Sequence, residues 1–505
     1  MKTNFYISFP ALYCFIFLVS LYLSNLGERL TTIQFIFCYI IFVFLILISQ
    51  IVLRVVFKEI NKASVLTSVI IFIFFWYGLT YNFFSESGSP IASVLRHRYL
   101  LPASLIITGA AMMALKKLEL SGRRVLFSYL LLTIILLIFC VAQFFDARHK
   151  DTKIEDIFGN QEILHNGLEN ELPDVFHIIT DMYLPNTILK SKLNFDNSLF
   201  IDQLKEKNFV EIEGRSNYVR TAQSIASITN LNYINHLNDD DLDYVINSPK
   251  SIKNTLEGRI AMDMGYTVKH ISSNDIYFGD HILLGDFARL LVENSILKII
   301  YDINPKIQGL WKSRKSRDID KSFSSLIEIS EESDHTWTFF YISLPHPPFI
   351  FDANGSRRST NEMNQDFERG VWTEKTKDLY INQIKILNNL LISATNKILE
   401  NSNENTVIII QSDDGVHQLS GNMGDLELED TSLETIEEAF AINVFLKTGA
   451  QCSEFNSTDI TNVNIIRTLL NICFKQTVED VRDKYFWSSS HNKNFIEINL
   501  DEIKP

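Results

Sequence analysis

Cysteine is scarce in this chain, with 5 residues among 505, and no two cysteines show the spacing of a CxxC pair or a zinc finger. This excludes a cysteine-based zinc module. Only Cys452 and Cys473 lie outside the apolar stretches that hold Cys14, Cys38 and Cys140. In an oxidising compartment, Cys452 and Cys473 either form a disulfide or remain two buried thiols, and the sequence leaves both open.

Basic residues are fewer than acidic residues. The chain has 46 Lys and Arg against 60 Asp and Glu, which gives a formal net charge of -14. This acidic balance argues against nucleic acid as a partner. The sequence contains no internal repeat and no long low-complexity tract.

Long apolar runs, in contrast, dominate the chain up to about residue 146. Each of five runs is close to the ~20 residues that a helix needs to cross a bilayer core. Because four runs follow the first, the first is not a cleaved signal peptide. We therefore predict a transmembrane anchor over residues 1–146, with spans at about 5–25, 33–57, 64–84, 98–115 and 125–145.

Basic residues between these runs predict the orientation of the anchor. One cluster follows the second run and another lies between the fourth and fifth: Arg54, Lys58, Lys62, and Lys116, Lys117, Arg123, Arg124. By the positive-inside rule both clusters are cytoplasmic. The prediction is a multi-pass protein of the cytoplasmic (inner) membrane, with a linker at 147–172 and an extracytoplasmic domain at 173–505.

The second part of the chain alternates apolar strand-like runs with stretches of helical periodicity. The strand-like runs are 174–180, 336–344, 405–412 and 439–447, and the helical stretches include 197–208, 221–237, 251–264, 320–332 and 376–401. Strands that lack polar alternates and are separated by helices predict an α/β domain, with a mostly parallel central sheet covered by helices.

Three of the strand-like runs end on ionisable side chains. The first ends at Asp181, the second is followed by His346, and the third by Asp413 and Asp414. Each residue alone is also typical of an ordinary turn. Since ligands of such sheets gather at the carboxyl ends of the strands, three converging cases favour a site for a divalent metal.

A metal at this edge needs a nucleophile, and "GRSNYVRTAQSIASITNLNYI" (214–234) offers candidates. Thr221 stands near a predicted helix start, where backbone N–H groups favour an anion. Thr221 is equally typical of a helix N-cap, and Ser216 and Ser224 compete as nucleophiles.

The order of these motifs resembles the alkaline phosphatase/sulfatase superfamily. Within it, the chain is similar to membrane-anchored, sulfatase-like envelope proteins related to lipoteichoic acid synthases and lipid A phosphoethanolamine transferases. The motifs are the apolar anchor, Asp181 after the first strand, "NYVRTAQSIAS", "PHPPFIFD" (345–352), "SDDG" (412–415) and the closing "TNVNIIRTLLNICFKQTVEDVRDKYFWS" (461–488). The resemblance implies an alkaline phosphatase-like exported domain.

The resemblance also implies roles for individual residues. The metal ligands would be Asp181, Thr221, Asp413 and Asp414, with Asp414 standing where the family has histidine. Thr221 would be the nucleophile, and His346 would contact the transferring group. Arg215 or Arg220 would grip a phosphate oxygen. Both are equally typical of solvated surface charges, and we expect Arg220 to be one. The expected cofactor is one divalent metal ion: zinc, manganese or, because Asp414 adds negative charge, magnesium.

The activity implied is transfer of a phosphate-ester group, phosphoethanolamine- or phosphoglycerol-like, through a covalent Thr intermediate. A lipid-linked donor and an envelope lipid or surface-glycan acceptor would be the partners. A hydrolase of the same fold is the alternative, although the region of Thr221 lacks the Cys and Pro-Ser-Arg sequence of formylglycine sulfatases. A second alternative is a non-catalytic binding or scaffold protein in polysaccharide assembly, since Asp414 departs from the family pattern.

Overall fold

The computed structural model of the chain describes most of both parts of the sequence. The described residues are 8–23, 32–86, 97–119, 126–127, 129–138, 141, 154–159, 172–273, 285–303, 315–332, 335–363, 372–420, 428–449, 452, 455, 459–476, 478–488 and 494–500.

Helices and strands alternate after an all-helical first part. The helices are α1 (Phe9–Leu23), α2 (Thr32–Phe57), α3 (Ile60–Glu86), α4 (His97–Lys117), α5 (Tyr129–Ile138), α6 (Asn186–Leu193), α7 (Ser198–Lys205), α8 (Thr221–Thr229), α9 (Asp239–Asn247), α10 (Leu256–Asp263), α11 (Gly285–Glu293), α12 (Lys298–Ile303), α13 (Lys315–Ile329), α14 (Thr360–Met363), α15 (Glu374–Asn401), α16 (Leu433–Phe440) and α17 (Asn462–Phe474). The strands are β1 (Val175–Asp181), β2 (Val210–Arg215), β3 (Thr267–Ser272), β4 (Thr336–Pro345), β5 (Val407–Ser412), β6 (Ala441–Lys447), β7 (Asp459–Thr461), β8 (Tyr485–Trp487) and β9 (Ile496–Ile498).

The chain divides into two compact units. The first unit is Met1–Thr152 with Ile276–Lys312, and the second is Lys153–Asp275 with Ser313–Pro505. The predicted domain boundaries near residues 146 and 173 stay a prediction. The structure adds that α11 and α12 belong to the first unit, although their sequence lies between β3 and β4 of the second.

The first unit contains the apolar helices. Among the described residues, α2, α4 and the stretch Ile60–Asn82 of α3 are long and apolar enough to cross a membrane, while α1 and α5 are apolar but shorter. Each of the five predicted spans overlaps one of these helices. Apolar membrane-type helices are therefore confirmed, and the count of five spans stays a prediction.

The second unit is built on a seven-stranded sheet of order β3-β4-β1-β5-β6-β2-β7. The pairs β3–β4, β4–β1, β1–β5 and β2–β7 are parallel, and only β6 runs antiparallel to its neighbours β5 and β2. This confirms the predicted mostly parallel sheet. A separate antiparallel pair, β8–β9, lies outside it.

Helices cover both faces of this sheet. Along β1 the side chains of Val175 and Ile179 enter one apolar core, and those of Phe176 and Ile178 enter another. Every residue of β1, β4 and β5 is buried. Burial on both faces explains why these strands lack the polar alternation of a half-exposed strand.

Two predicted boundaries differ from the structure. Ala439 and Phe440 end α16 instead of beginning β6. The helix predicted over 221–237 ends at Thr229, because Leu231 adopts a left-handed backbone with φ of 52°. Cys452 and Cys473 form a disulfide, which resolves the alternative that the sequence left open.

Candidate metal centre and nucleophile

Four of the sequence-predicted residues lie at one edge of the sheet, where the parallel strands end. Asp181 is the last residue of β1, and Asp413 and Asp414 follow β5 directly. Pro345 is the cross-strand partner of Asp181, so His346 follows at the neighbouring strand end. The sheet topology thus places the ends of β1, β4 and β5 side by side.

Asp181, Asp413 and Asp414 form a compact carboxylate triad. One oxygen of each lies within 4.8 Å of the others, and the residues are only 3%, 0% and 4% exposed. Oδ1 of Asp181 and Oδ2 of Asp413 accept no hydrogen bond from the described residues. Burying carboxylates together without compensation costs several kcal/mol per ion, so the arrangement fits a bound cation.

Backbone and side-chain contacts fix the turn that carries Asp413. The Asp413 Oδ1 accepts N–H bonds from Asp414 at 2.8 Å and Met182 at 3.3 Å. The Asp413 carbonyl accepts from Asn462 Nδ2 at 2.7 Å and from Ser224 Oγ at 2.5 Å. These contacts leave Oδ2 as the oxygen of Asp413 that is free to bind a ligand.

Met182 has a left-handed backbone with φ of 65°, which is costly for a side chain of this size. In this conformation the Met182 N–H donates to Asp413 Oδ1, and the Met182 carbonyl accepts from Tyr380 Oη at 2.6 Å. Strain of this kind concentrates at functional sites, and here it stands directly after Asp181.

The packing around Gly415 explains why the "SDDG" motif ends in glycine. A Cβ built on Gly415 would lie 2.0 Å from the carbonyl oxygen of Glu438 and 2.9 Å from that of Ala439. The Gly415 N–H donates to Ala439 O at 3.0 Å. The turn after β5 therefore packs backbone against backbone on the end of α16, and only glycine fits there.

Tyr341 belongs to the site and was not recognised in the sequence. Its hydroxyl donates to Oδ2 of Asp181. Burial, followed by the charges of Asp181 and Asp413, raises the pKa of Tyr341 well above 10, so the group stays a donor. This bond orients Asp181 and leaves its Oδ1 for a ligand. The available signal was a tyrosine inside an apolar strand, whose hydroxyl needs a partner when it is buried.

The electrostatics of the triad favour a cation. Burial is the main cause that raises the pKa of Asp413 well above its usual value, and the charges of Asp414 and Asp181 raise it further. Burial and Asp181 likewise raise the pKa of Asp414, whereas the guanidinium of Arg220 opposes the shift. The carboxylates thus disfavour each other's ionised form, which a divalent ion would reverse.

Thr221 is the first residue of α8 and not its N-cap. Arg220 occupies the N-cap position with extended backbone angles, and its side chain makes no capping hydrogen bond. One turn further, Ser224 donates to Asp413 O, and Arg220 lies close enough for its charge to act on Asp414. The start of α8 therefore faces the carboxylate turn, and the hydroxyl of Ser224 is already engaged.

Three residues outside the triad, His417, Arg215 and Ser216, have different surroundings. His417 is buried and bonds through Nε2 to the carbonyl of Val219 at 2.8 Å, and it lies outside the triad. Arg215 ends β2, which runs in the direction of β5 but two strand positions away, about 10 Å at ordinary strand spacing. Ser216 is fully buried.

The donor set of the triad consists of oxygen alone. Carboxylate oxygens are the preferred ligands of magnesium and manganese, and zinc also accepts them. The residues present therefore fit one divalent metal ion held by Asp181, Asp413 and Asp414.

No protein-family model matches the chain, and a comparison with curated proteins gives no match. Several solved structures are similar. The C-terminal periplasmic domain of EcEptC from Escherichia coli has 12% identity and a TM-score of 0.42, covering 66% of this chain and 93% of that one. The lipooligosaccharide phosphoethanolamine transferase A from Neisseria meningitidis has 10% identity and a TM-score of 0.35, covering 93% and 95%.

A third similar structure is BT1596, a 2-O GAG sulfatase, with 11% identity and a TM-score of 0.38, covering 63% of this chain and 78% of that one. These neighbours thus include a phosphoethanolamine transferase and a sulfatase.

Proposed function

We propose that this protein is a membrane-bound, metal-dependent transferase of a phosphate-ester group, and that it works through a covalent Thr221 intermediate. The donor is a lipid-linked phosphodiester, and the acceptor is a hydroxyl of an envelope lipid or surface glycan. The second unit acts on the extracytoplasmic side of the cytoplasmic membrane. The transferred group is phosphoethanolamine- or phosphoglycerol-like.

The observation that carries this proposal is the buried carboxylate triad beside the start of α8. Three carboxylates within 4.8 Å, two of them with an oxygen that lacks a hydrogen-bond donor, provide ligands for one cation. A hydroxyl at the first position of α8 stands where the helix end favours negative charge. Together these features match the needs of phosphoryl transfer to a hydroxyl nucleophile.

The proposed reaction has two displacements. Thr221 Oγ forms a bond to phosphorus while the bond from phosphorus to the donor's lipid oxygen breaks, and the lipid alcohol leaves with the proton. The acceptor oxygen then bonds to phosphorus, the bond to Thr221 breaks, and the acceptor's proton returns to Thr221 Oγ. A bound divalent ion would lower the pKa of the Thr221 hydroxyl and offset charge on the phosphoryl oxygens.

His346 and Arg215 have supporting roles in this proposal. His346, at the end of β4 beside Asp181, would donate a hydrogen bond to the transferring group. Arg215, at the end of β2, would bind a more distant phosphate oxygen or the acceptor. These roles rest on their location at the same edge of the sheet.

The test is donor turnover by the full chain in vesicles that contain labelled phosphatidylethanolamine or phosphatidylglycerol. Thr221→Ala should abolish release of the lipid alcohol, while Thr221→Ser, which keeps a hydroxyl, should retain measurable turnover. Mass spectrometry of the wild type should find the phosphate ester on Thr221. Unchanged turnover by Thr221→Ala would overturn the proposal.

The same assay separates the transferase from the alternatives. Dependence of turnover on an added alcohol or glycan acceptor supports the transferase. Equal turnover into water without any acceptor favours a hydrolase. A wild type that binds no divalent metal and shows neither turnover nor Thr221 labelling favours a scaffold protein.

A further inference from the structure

Residues 285–303 are an insertion between β3 and β4 that forms part of the first unit. The insertion consists of α11, a turn at Asn294–Leu297, and α12. We refer to it as the 285–303 hairpin. Within the first unit, the hairpin contacts the apolar helices. These contacts define its position along the helices.

The turn of the 285–303 hairpin touches the backbone of α3. The Ile296 N–H donates to the carbonyl of Phe74 at 2.9 Å. A Cβ built on Gly78 would lie 2.2 Å from the carbonyl carbon of Asn294, so the two backbones are in direct contact at that glycine. Close approach at a small residue is how helices pack inside membranes.

The contact with Phe74 fixes the depth of the turn along α3. The apolar stretch of α3 that can cross a membrane includes Asn82, whose Nδ2 donates to Glu293 O at 3.2 Å. Phe74 is eight residues, or about 12 Å of helix rise, inward from Asn82. Half of a bilayer's hydrocarbon core is about 15 Å thick. The turn therefore contacts α3 well inside the stretch that can cross a membrane.

Several polar groups of the hairpin have partners, as this depth requires. Asp302 Oδ2 lies 2.8 Å from His97 Nε2, and His97 Nδ1 lies 2.9 Å from the hydroxyl of Tyr77. Lys298 is 3.7 Å from Asp302. The Leu297 N–H donates to Ser295 Oγ at 3.2 Å. Ionisable groups within a membrane are normally paired in this way.

The apolar residues of the hairpin extend the surface of the membrane helices. Phe287 is fully buried in an aromatic cluster with Tyr22 and Phe35. Ile300 points outward and is 53% exposed. An exposed isoleucine in a unit with helices of membrane-crossing length is suited to contact with lipid acyl chains.

We propose that the 285–303 hairpin is a re-entrant element immersed in the outer leaflet, and that its partner is the acyl chains of the membrane lipids. The assignment to the outer leaflet rests on the proposed orientation of the anchor, whereas the immersion does not depend on the proposed catalysis. The chain of the exported domain thus returns to the membrane once, through α11 and α12.

The test is depth-dependent quenching of a bimane label on Ile300→Cys in the full chain, with Cys140 replaced by Ser and reconstituted in vesicles. Acyl-chain-brominated lipid should remove about half or more of the fluorescence, and aqueous iodide little. Leu199→Cys in α7, an exposed apolar position of the second unit (75% exposed), is the matched control, and it should show the opposite pattern.

Gly78→Ala provides a second measurement, because its methyl group collides with the backbone of Asn294. In that variant, the label at position 300 should lose quenching by brominated lipid and gain quenching by iodide. Iodide quenching of Ile300→Cys in the unaltered hairpin would overturn the proposal. Quenching by neither reagent would also overturn it, since protein would then cover the residue. Neither readout uses catalytic activity.

Discussion

At the scale of single residues, Asp413 and Asp414 have different surroundings although they are neighbours in the chain. Asp413 is held by two backbone N–H groups on Oδ1 and keeps Oδ2 available. Asp414 faces the charge of Arg220, which favours its ionised form. Asp413 is therefore a candidate ligand fixed by the backbone, whereas Asp414 is a candidate ligand whose charge also acts on an arginine.

The difference predicts the effect of Asp414→His. Replacing a carboxylate with imidazole makes the donor set softer and less negative, so the preference for zinc over manganese should increase by about tenfold or more. Competitive metal titration of the wild type and the variant measures this ratio. An unchanged zinc-to-manganese ratio would mean that Asp414 interacts with Arg220 and does not bind the metal.

His417 predicts an acid sensitivity of the folded state. Burial, assisted by Arg220, lowers the pKa of His417 from 6.5 to about 4. Because the unfolded chain then binds a proton that the folded chain excludes, stability is lost as pH falls from about 6.5 to about 4, by up to about 3 kcal/mol.

His417→Gln keeps a donor for the Val219 carbonyl but cannot be charged, so it should flatten the stability profile between pH 7 and 4. Thermal unfolding at several pH values provides the measurement. His335→Gln, at an exposed histidine, is the control and should leave the wild-type slope unchanged. Equal slopes in all three proteins would contradict the assignment.

At the scale of elements, the site is formed by strand ends and by the start of one helix. The turn after β5 is positioned by the end of α16 through Gly415, and by α8 and α17 through the side chains of Ser224 and Asn462. A change in the fit between these elements should therefore disturb the metal centre without removing a ligand.

Gly415→Ala tests this coupling. Its methyl group would lie 2.0 Å from the Glu438 carbonyl oxygen, so the turn must shift. We expect a loss of at least about 2 kcal/mol in unfolding free energy together with weaker metal binding. Gly109→Ala in α4, where a Cβ meets nothing within 4 Å, is the control and should change neither quantity. Wild-type metal affinity in Gly415→Ala would contradict the proposed packing.

The strands at the centre of the sheet were predictable from the sequence, and the strands β2 and β7 at one edge were not. β1, β4 and β5 are buried on both faces and read as continuous apolar runs. β2 carries Glu211 and Glu213 on partly exposed positions, and β7 has three residues, so neither gives such a run. The clustering of Asp181 with Asp413 followed from the rule on strand ends.

The supporting contacts of the site were beyond the sequence. The bond from Tyr341 to Asp181 joins residues 160 positions apart, and that from Ser224 to Asp413 joins residues 189 apart. No local pattern encodes such pairings, because they depend on which strands become neighbours. The left-handed backbone of Met182 is likewise imposed by its partners Asp413 and Tyr380.

At the scale of the whole molecule, the first unit contains apolar helices long enough to cross a membrane, and the second contains an oxygen-only candidate metal site. The basic ends of α2 and α4 predict that these helix ends are cytoplasmic, and from this the side of the membrane on which the second unit lies. Catalysis on lipid-linked donors requires the second unit to lie on the side where those donors are presented.

The orientation can be checked in intact cells with a membrane-impermeant maleimide. Leu199→Cys in the second unit should react in intact spheroplasts. Lys117→Cys at the end of α4 should react only after permeabilisation, because positive residues remain cytoplasmic. The reverse pattern would contradict the orientation.

The central claim is that Asp181, Asp413 and Asp414 hold a divalent cation. Metal content of the purified full chain, measured by inductively coupled plasma mass spectrometry after dialysis against manganese, magnesium or zinc, tests it most directly. We predict one tightly held ion per chain in the wild type and none in Asp413→Asn, which keeps the shape but removes the charge. A wild type without bound metal, or an Asp413→Asn variant with wild-type content, would contradict the claim.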